Sequence, residues 1–312
     1  MIAELKKKLK LLRYYFFRRN NLDLIPYVEN EFDTIDIKNN NQLGFVPKTI
    51  WMYWDDGLPT SYLKNIINKI KELNLDYDLI VINRNTLKDF LPNLIFDAVD
   101  LPLANKADVI RLELLYKYGG IWIDASTIFY SDLTWLHDLI DQNQMTCYDC
   151  IGFYRDVSTV DKENPIIENW FLCAPKENKF IKLWLDELRS LKDIGVDEYF
   201  KKICLRSDYD IIKQKITTPS YLLAYLAEQI AMRKEKFNFY LHKCENDAFF
   251  YQEQFNWSDD KMTTFLTQIP KPESVPPVIK LTNYDRVYLG DLIKWGKVNK
   301  DSIIGQFLEN KN

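Results

Sequence analysis

Lys106 to Thr127 reads KADVIRLELLYKYGGIWIDAST, and this stretch decides the fold. Ala104 to Tyr118 is expected to be helical, because Ala107, Ile110, Leu114 and Tyr118 recur at helical spacing with Leu115 beside them. Gly119-Gly120 ends that helix, the first glycine suiting the left-handed position that follows a helix. Ile121-Trp122-Ile123 then begins a strand, and Asp124 follows it directly. Ligands of open α/β sheets gather at the carboxyl ends of strands, so Asp124 is a candidate site residue. A carboxylate beside so apolar a run is costly to bury without a cation, a metal or hydrogen-bond donors. Asp108 and Arg111 lie three apart and share a helix face, with Lys106 two residues before. Alone, such a pair is a surface ion pair worth a few tenths of a kcal/mol. Its place on a helix that runs into the Asp124 strand makes it a candidate.

Outward from this stretch the pattern is that of an α/β protein. Pro47-Lys48 introduces Thr49 to Trp54 (TIWMYW), a β-branched and aromatic run that reads as a strand, and Asp55-Asp56-Gly57 turns the chain. Ser61 caps a predicted helix through Leu73, with Leu63, Ile66, Ile67 and Ile70 on one face. Asp78 to Asn83 is a second apolar strand, which completes a βαβ unit and calls for a parallel sheet with helices on its faces. Further on, Asn178 to Leu191 and Pro219 to Lys236 read as amphipathic helices, and a proline-rich link at 270–277 precedes an apolar strand, Val278 to Leu281. The fold class expected is a Rossmann-like mixed sheet flanked by helices, with residues 1–44 an N-terminal helix and connector and 45–312 a single domain with extra C-terminal helices. Glu168 and Asn169 either face the site or follow a helix start near Asn164-Pro165, with Trp170 packed inside.

The net charge of −4 argues against a nucleic-acid binder acting through bulk electrostatics. Five cysteines form no framework, and a reduced compartment is expected. Cys147 and Cys150 have metal-site spacing, but no second such pair exists, so two idle thiols are expected. No stretch reaches the length of an apolar membrane span, and the first residues lack the pattern of a signal peptide, so a cytoplasmic location is expected. Residues 2–19 (IAELKKKLKLLRYYFFRR) set Leu5, Leu9, Leu12 and Phe16 on one face between cationic flanks. That suits a helix lying on an anionic membrane, as at the inner face of a cell membrane; a helix docked on the protein's own core is the alternative.

Lys106-Ala-Asp108-x-x-Arg111 followed by Gly119-Gly120-Ile-Trp-Ile-Asp124-Ala-Ser126-Thr127 resembles the donor-site motif of the capsular polysaccharide synthesis proteins. These are similar to the DXD-motif glycosyltransferases of family 32 and, more distantly, to the sugar-transferring domain of the large clostridial toxins. Pro47-Lys48-Thr-Ile-Trp51 resembles that family's first strand, and Glu168 to Phe171 and Lys280 to Asn283 its later blocks. The resemblance implies a GT-A fold and a retaining transfer of a hexose from a nucleotide sugar, most simply a UDP-sugar, to a lipid-linked saccharide in surface-polysaccharide synthesis. Trp51, Tyr53 or Trp54 would meet the base; Lys106, Asp108, Arg111, Lys280 and Arg286 the sugar and phosphates; Asp124 the ribose and metal; Glu168 and Asn169 the reacting sugar. Mn2+ or Mg2+ would be held by Asp124, Ser126 and Asn283. Ser126 stands where the family carries a second acidic ligand, and a hydroxyl is the weaker, neutral donor. Two alternatives remain: a toxin-like enzyme that modifies proteins, and a non-catalytic sugar-binding scaffold.

Overall fold

The computed structural model describes Leu9 and residues 22–29, 33–55, 60–98 and 101–308. The basic helix expected over residues 2–19 lies, Leu9 apart, outside the described residues, as does most of the turn after Asp55.

Strands β1 (Thr34–Ile37), β2 (Gly44–Phe45), β3 (Thr49–Tyr53), β4 (Asp78–Ile82), β5 (Gly120–Ile123), β6 (Thr127–Phe129), β7 (Met145–Thr146), β8 (Cys150–Tyr154), β9 (Ile167–Ala174), β10 (Phe239–Lys243) and β11 (Val278–Lys280) form one large sheet and two small ones. The large sheet runs β1-β10-β8-β9-β5-β3-β4. β4, β3 and β5 are parallel neighbours, as are β8 and β10, while β9 and β1 run the other way. The architecture is therefore a mixed α/β sheet with helices on both faces. The βαβ unit is present as expected, its helix spanning Thr60–Leu73. That helix starts before Ser61, which is consequently inside it and not its cap.

Alternation along the strands sorts side chains into two cores. Ile50, Met52, Ile121 and Ile123 pack on one face against Tyr62, Leu63, Ile66 and Ile70 of the Thr60–Leu73 helix. Trp51 and Trp122 point to the other face, against the helices Leu103–Tyr118, Lys179–Leu188 and Leu223–Met232. All four residues of β5 are buried because the strand sits mid-sheet with both faces covered. Each such aliphatic side chain contributes about 1.5–3 kcal/mol.

Three expectations change. The stretch read as a connector contains β1, which forms the sheet edge by pairing with β10. Residues 167–174 are strand, with no helix start before them, although Trp170 is packed inside as that reading held. The Leu223–Met232 helix is buried at every residue and has no solvated face. The helix from 179, by contrast, begins where Asn178 accepts a hydrogen bond from the Ile181 amide, a side-chain N-cap.

The Gly119-Gly120 junction is required twice over. Both residues have positive φ, +70° and +98°, a region other residues rarely adopt. A Cβ on Gly120 would also lie 2.6 Å from the Thr49 carbonyl oxygen, and one on Gly119 2.5 Å from the Lys176 amide. The close approach seats β5 against β3 and sets where Asp124 emerges.

Candidate active site

Asp124 is the point of convergence at the carboxyl end of β5. Its Oδ1 accepts from Arg111 Nη2 at 3.1 Å and from Trp122 Nε1 at 2.9 Å, while Oδ2 accepts from Lys280 Nζ at 2.9 Å. Arg111 comes from the Leu103–Tyr118 helix, whose polar residues Asp108 and Arg111 are buried, so the pair is no surface ion pair. Arg111 Nη1 lies 3.1 Å from Asp108 Oδ1, and the guanidinium sits 5.1 Å from the centre of the Trp122 ring. Asp108 Oδ1 in turn accepts from Asn169 Nδ2 at 3.0 Å.

Local irregularity supplies Asn169. Gly152 pairs with Leu172 but Phe153 with Glu168, so Asn169, Trp170 and Phe171 bulge from β9 with no partner on β8. Such bulges re-aim side chains, and here the Trp170 carbonyl accepts the Asp124 amide at 2.8 Å. Lys280 arrives by register: β11 pairs antiparallel with β6 so that Lys280 faces Thr127. Its Nζ reaches Ser126 Oγ at 3.0 Å as well as Asp124, and Ser126 Oγ donates to the Leu281 carbonyl at 3.1 Å. Beyond Lys280, Thr282 and Asp285 close a capping box over Asn283–Arg286. That places the Arg286 guanidinium 5.5 Å from the Trp54 ring centre.

The charges shift one another in opposite directions. Burial works to raise the Asp124 carboxyl, but Lys280 and Arg111 beside it hold it down at about 2. Burial lifts Asp108 to about 6, helped by Asp124 and opposed by Arg111 and Asn169. Burial also pushes the Lys280 ammonium below its ordinary value, with Asp124 acting against it. Two carboxylates thus face two cations, and Arg111 has donors left over: its Nε and Nη1 are buried and make no hydrogen bond. Spare buried N–H groups favour an anion.

Residues 18–191, more than half of the 312, match the family described as capsular polysaccharide synthesis protein. This chain belongs to that family. It is 29% identical over 168 residues to the O-glycosyltransferase braB of Annulohypoxylon truncatum, covering 47% of this chain and 38% of that protein. It is 26% identical over 162 residues to the glycosyltransferase afumC of Aspergillus fumigatus, covering 47% and 41%. The chain therefore spans about two-fifths of the length of these curated relatives. Among solved structures it is similar to the UDP-bound glycosyltransferase domain from the YGT toxin, with 12% identity, 88% of this chain and 95% of that one covered, and a TM-score of 0.35.

Of the residues singled out in this family member's sequence, Asp108, Arg111, Asp124, Ser126, Asn169 and Lys280 come together. Arg286 acts on Lys280 as a like charge, and the others make their contacts elsewhere. Trp51 is buried, its Nε1 donating to the Gly119 carbonyl at 2.8 Å and its ring packed against Phe90 and Tyr118, so no face is open to a base. Tyr53 and Trp54 are half-buried at the end of β3. Lys106 reaches over the Phe96 ring, 5.8 Å from its centre. Glu168 is buried and accepts from the Tyr225 hydroxyl at 2.6 Å. Asn283 donates to the Tyr221 hydroxyl at 3.0 Å and accepts from Arg286.

The residues present do not fit a Mn2+ or Mg2+ held by Asp124, Ser126 and Asn283. Both Asp124 oxygens are engaged by donors, the Ser126 hydroxyl is shared between Lys280 and Leu281, and the Asn283 amide is engaged elsewhere. Among the described residues no group of three or more His, Cys, Asp or Glu is arranged to hold a metal. A divalent ion about 4 Å from the ammonium would be repelled by about 8 kcal/mol at an effective dielectric of about 20.

Sequence reasoning missed Trp122 and Tyr221. Trp122 was legible as the residue two before Asp124, on the same side of a strand by its period of two. Tyr221 lies at the start of the stretch read as an amphipathic helix, and helical periodicity says nothing of a contact with Asn283.

Proposed function

We propose that this chain is a GT-A-type glycosyltransferase that moves a hexose from a nucleotide sugar to a saccharide acceptor. The observation that carries the reading is the Asp124 cluster: a carboxylate at the end of β5 gripped by Arg111, Trp122 and Lys280, with the buried Arg111 Nε left without a hydrogen-bond partner. A sugar–phosphate bond breaks only if the charge arriving on the diphosphate is stabilised, and fixed guanidinium and ammonium groups do that well in a water-poor site. Family membership and the names of the fungal relatives support the same chemistry.

In this reading Arg111 meets the diphosphate, and Asp108, oriented by Asn169, takes hydroxyls of the sugar or ribose. The Trp54 and Arg286 pair borders the base or its phosphates. Transfer proceeds with retention, the departing phosphate accepting the proton of the acceptor hydroxyl. A UDP-sugar donor and a lipid-linked acceptor in surface-polysaccharide synthesis fit best. The basic residues between Lys6 and Arg19 support a place of work on the anionic inner face of the membrane, in the cytoplasm. Among the described residues no helix is long and apolar enough to cross a membrane.

The test is a scan of nucleotide sugars for release of the nucleoside diphosphate and for thermal stabilisation of the protein. One uridine donor should stand out, and Arg111→Ala should lose its turnover. If no nucleotide sugar binds or reacts, the reading fails.

A further inference from the structure

We infer that the Lys280 ammonium holds the cation position of this site, so that the chain binds a nucleoside diphosphate without a divalent metal. The inference rests on the nucleotide-sugar reading above and names how that site neutralises its ligand. Geometry carries it. The resemblance described above would have Asp124 and Ser126 among the residues that hold a metal ion. The structure puts Lys280 Nζ between those same two, 2.9 Å from Asp124 Oδ2 and 3.0 Å from Ser126 Oγ.

Lys280 is fixed there by its backbone as well as its charge. β11 registers it opposite Thr127, its amide donates to the Ala248 carbonyl at 3.0 Å, and its carbonyl accepts from Gln252 Nε2 at 2.7 Å. The Leu281 amide and the Ser126 carbonyl, 3.1 Å apart, lock the two segments together. The backbone from which the side chain springs is thereby fixed, and the side chain itself is buried, with a relative exposure of 10%.

The serine then has a physical reason. An Asp at 126 would put a second carboxylate beside Asp124 and create a divalent-ion site; a hydroxyl accepts one N–H of an ammonium and adds no charge. An ammonium has three N–H groups. Two are used by Asp124 and Ser126, and the third has no acceptor among the described residues, which leaves it for a phosphate oxygen. Arg111, whose Nε has no hydrogen-bond partner and whose Nη1 touches only Asp108, offers the second cation on the other side of Asp124. During transfer the anomeric carbon–oxygen bond breaks with its electron pair going to the β-phosphate oxygen. The acceptor oxygen bonds to that carbon, and its proton passes to the departing phosphate. Lys280 and Arg111 stay charged throughout and lose no proton.

The experiment is titration calorimetry of UDP and GDP into the full chain, in EDTA and in Mn2+. Equal UDP affinity in the two buffers, within about twofold, is expected. Lys280→Met should weaken UDP by about 10- to 100-fold in EDTA, the loss of one charge-assisted hydrogen bond. The double variant S126D/K280A should bind UDP more tightly in Mn2+ than in EDTA, the metal having regained its place. Wild-type binding that vanishes in EDTA and returns with Mn2+ overturns the Lys280 assignment and leaves the nucleotide reading standing. No binding of either nucleotide in either buffer overturns both. Should Lys280→Met fail to fold, as a thermal melt would reveal, the wild-type comparison alone decides.

Discussion

Two arginines sit among acids in this protein, Arg111 buried and Arg155 half-buried, and they are built differently. Arg155, at the end of β8, lies 2.9 Å from Glu253 and 3.5 Å from Glu245, with Cys244 Sγ against Nη1. Its guanidinium also stacks 4.5 Å from the Trp257 ring centre and 5.2 Å from that of Phe249. Arg111 lies equally close to two carboxylates, yet two of its nitrogens make no hydrogen bond. The first arginine is a brace whose partners are all supplied by the protein. The second keeps donors in reserve, which costs stability unless an anion arrives. Spare donors, more than burial or charge, separate a site from a strut.

The sharpest way to break this comparison is to remove each arginine in turn. Arg155→Met leaves Glu245 and Glu253 without their cation and should cost about 3–5 kcal/mol in denaturant unfolding, with UDP affinity per folded molecule unchanged. Loss of UDP binding at full stability would make Arg155 part of the site. Arg111→Ala should strike activity, lowering turnover of a nucleotide sugar by about 100- to 1000-fold, as when one transition-state donor is removed, and should lower stability too, because Asp108 and Asp124 lose a shared cation. Steady-state kinetics on folded protein checks it. Asp124→Asn is expected from sequence to abolish transfer with the fold intact, but the structure changes the second half: Arg111 and Lys280 lose a shared counterion, so melting should fall as well.

A smaller effect distinguishes the two carboxylates. The folded value of Asp108, about 6, is above its ordinary 3.8. Its contribution is therefore fully present below pH 3.8 and lost as pH rises through 6, on the order of 3 kcal/mol. Asp124 has the opposite sign: held at about 2, its contribution is present above 3.8 and lost as pH falls through 2. Asp108→Asn should flatten the stability profile between pH 3.8 and about 6, and a profile unchanged from wild type would contradict the Asp108 shift. The smallest effect is expected at the rim. Trp54→Ala removes the ring beside Arg286 and should weaken UDP by a few-fold, about 1 kcal/mol, read by the same calorimetry.

How much of this was legible before the structure depends on the range of each interaction. The Leu103–Tyr118 helix, the glycine junction, β5 and the carboxylate behind it were readable because each depends on neighbours within a few residues. One of the two readings of the Glu168 block, the helix start, fails for the same reason in reverse. Asn164-Pro165 is a local helix-start signal, but pairing with β5 and β8 overrode it and made a strand. Trp51 and Trp54 look alike in the sequence. Strand alternation sent Trp51 into the core beneath Gly119 and left Trp54 beyond the strand end, beside Arg286.

The sequence by itself determined the α/β class, the place of Asp124 at a strand end and the departure at Ser126, all consequences of local periodicity and residue type. Only the tertiary structure decided what fills the gap that Ser126 leaves. Lys280 is 156 residues from Asp124 along the chain, and no local pattern joins them. They meet because β11 returns beside β6 in one register, and a shift of one residue would send the ammonium to the other face. The same folding turned an Asp108–Arg111 pair worth a few tenths of a kcal/mol in water into a buried, shared ion cluster, since burial removes the solvent that weakens it.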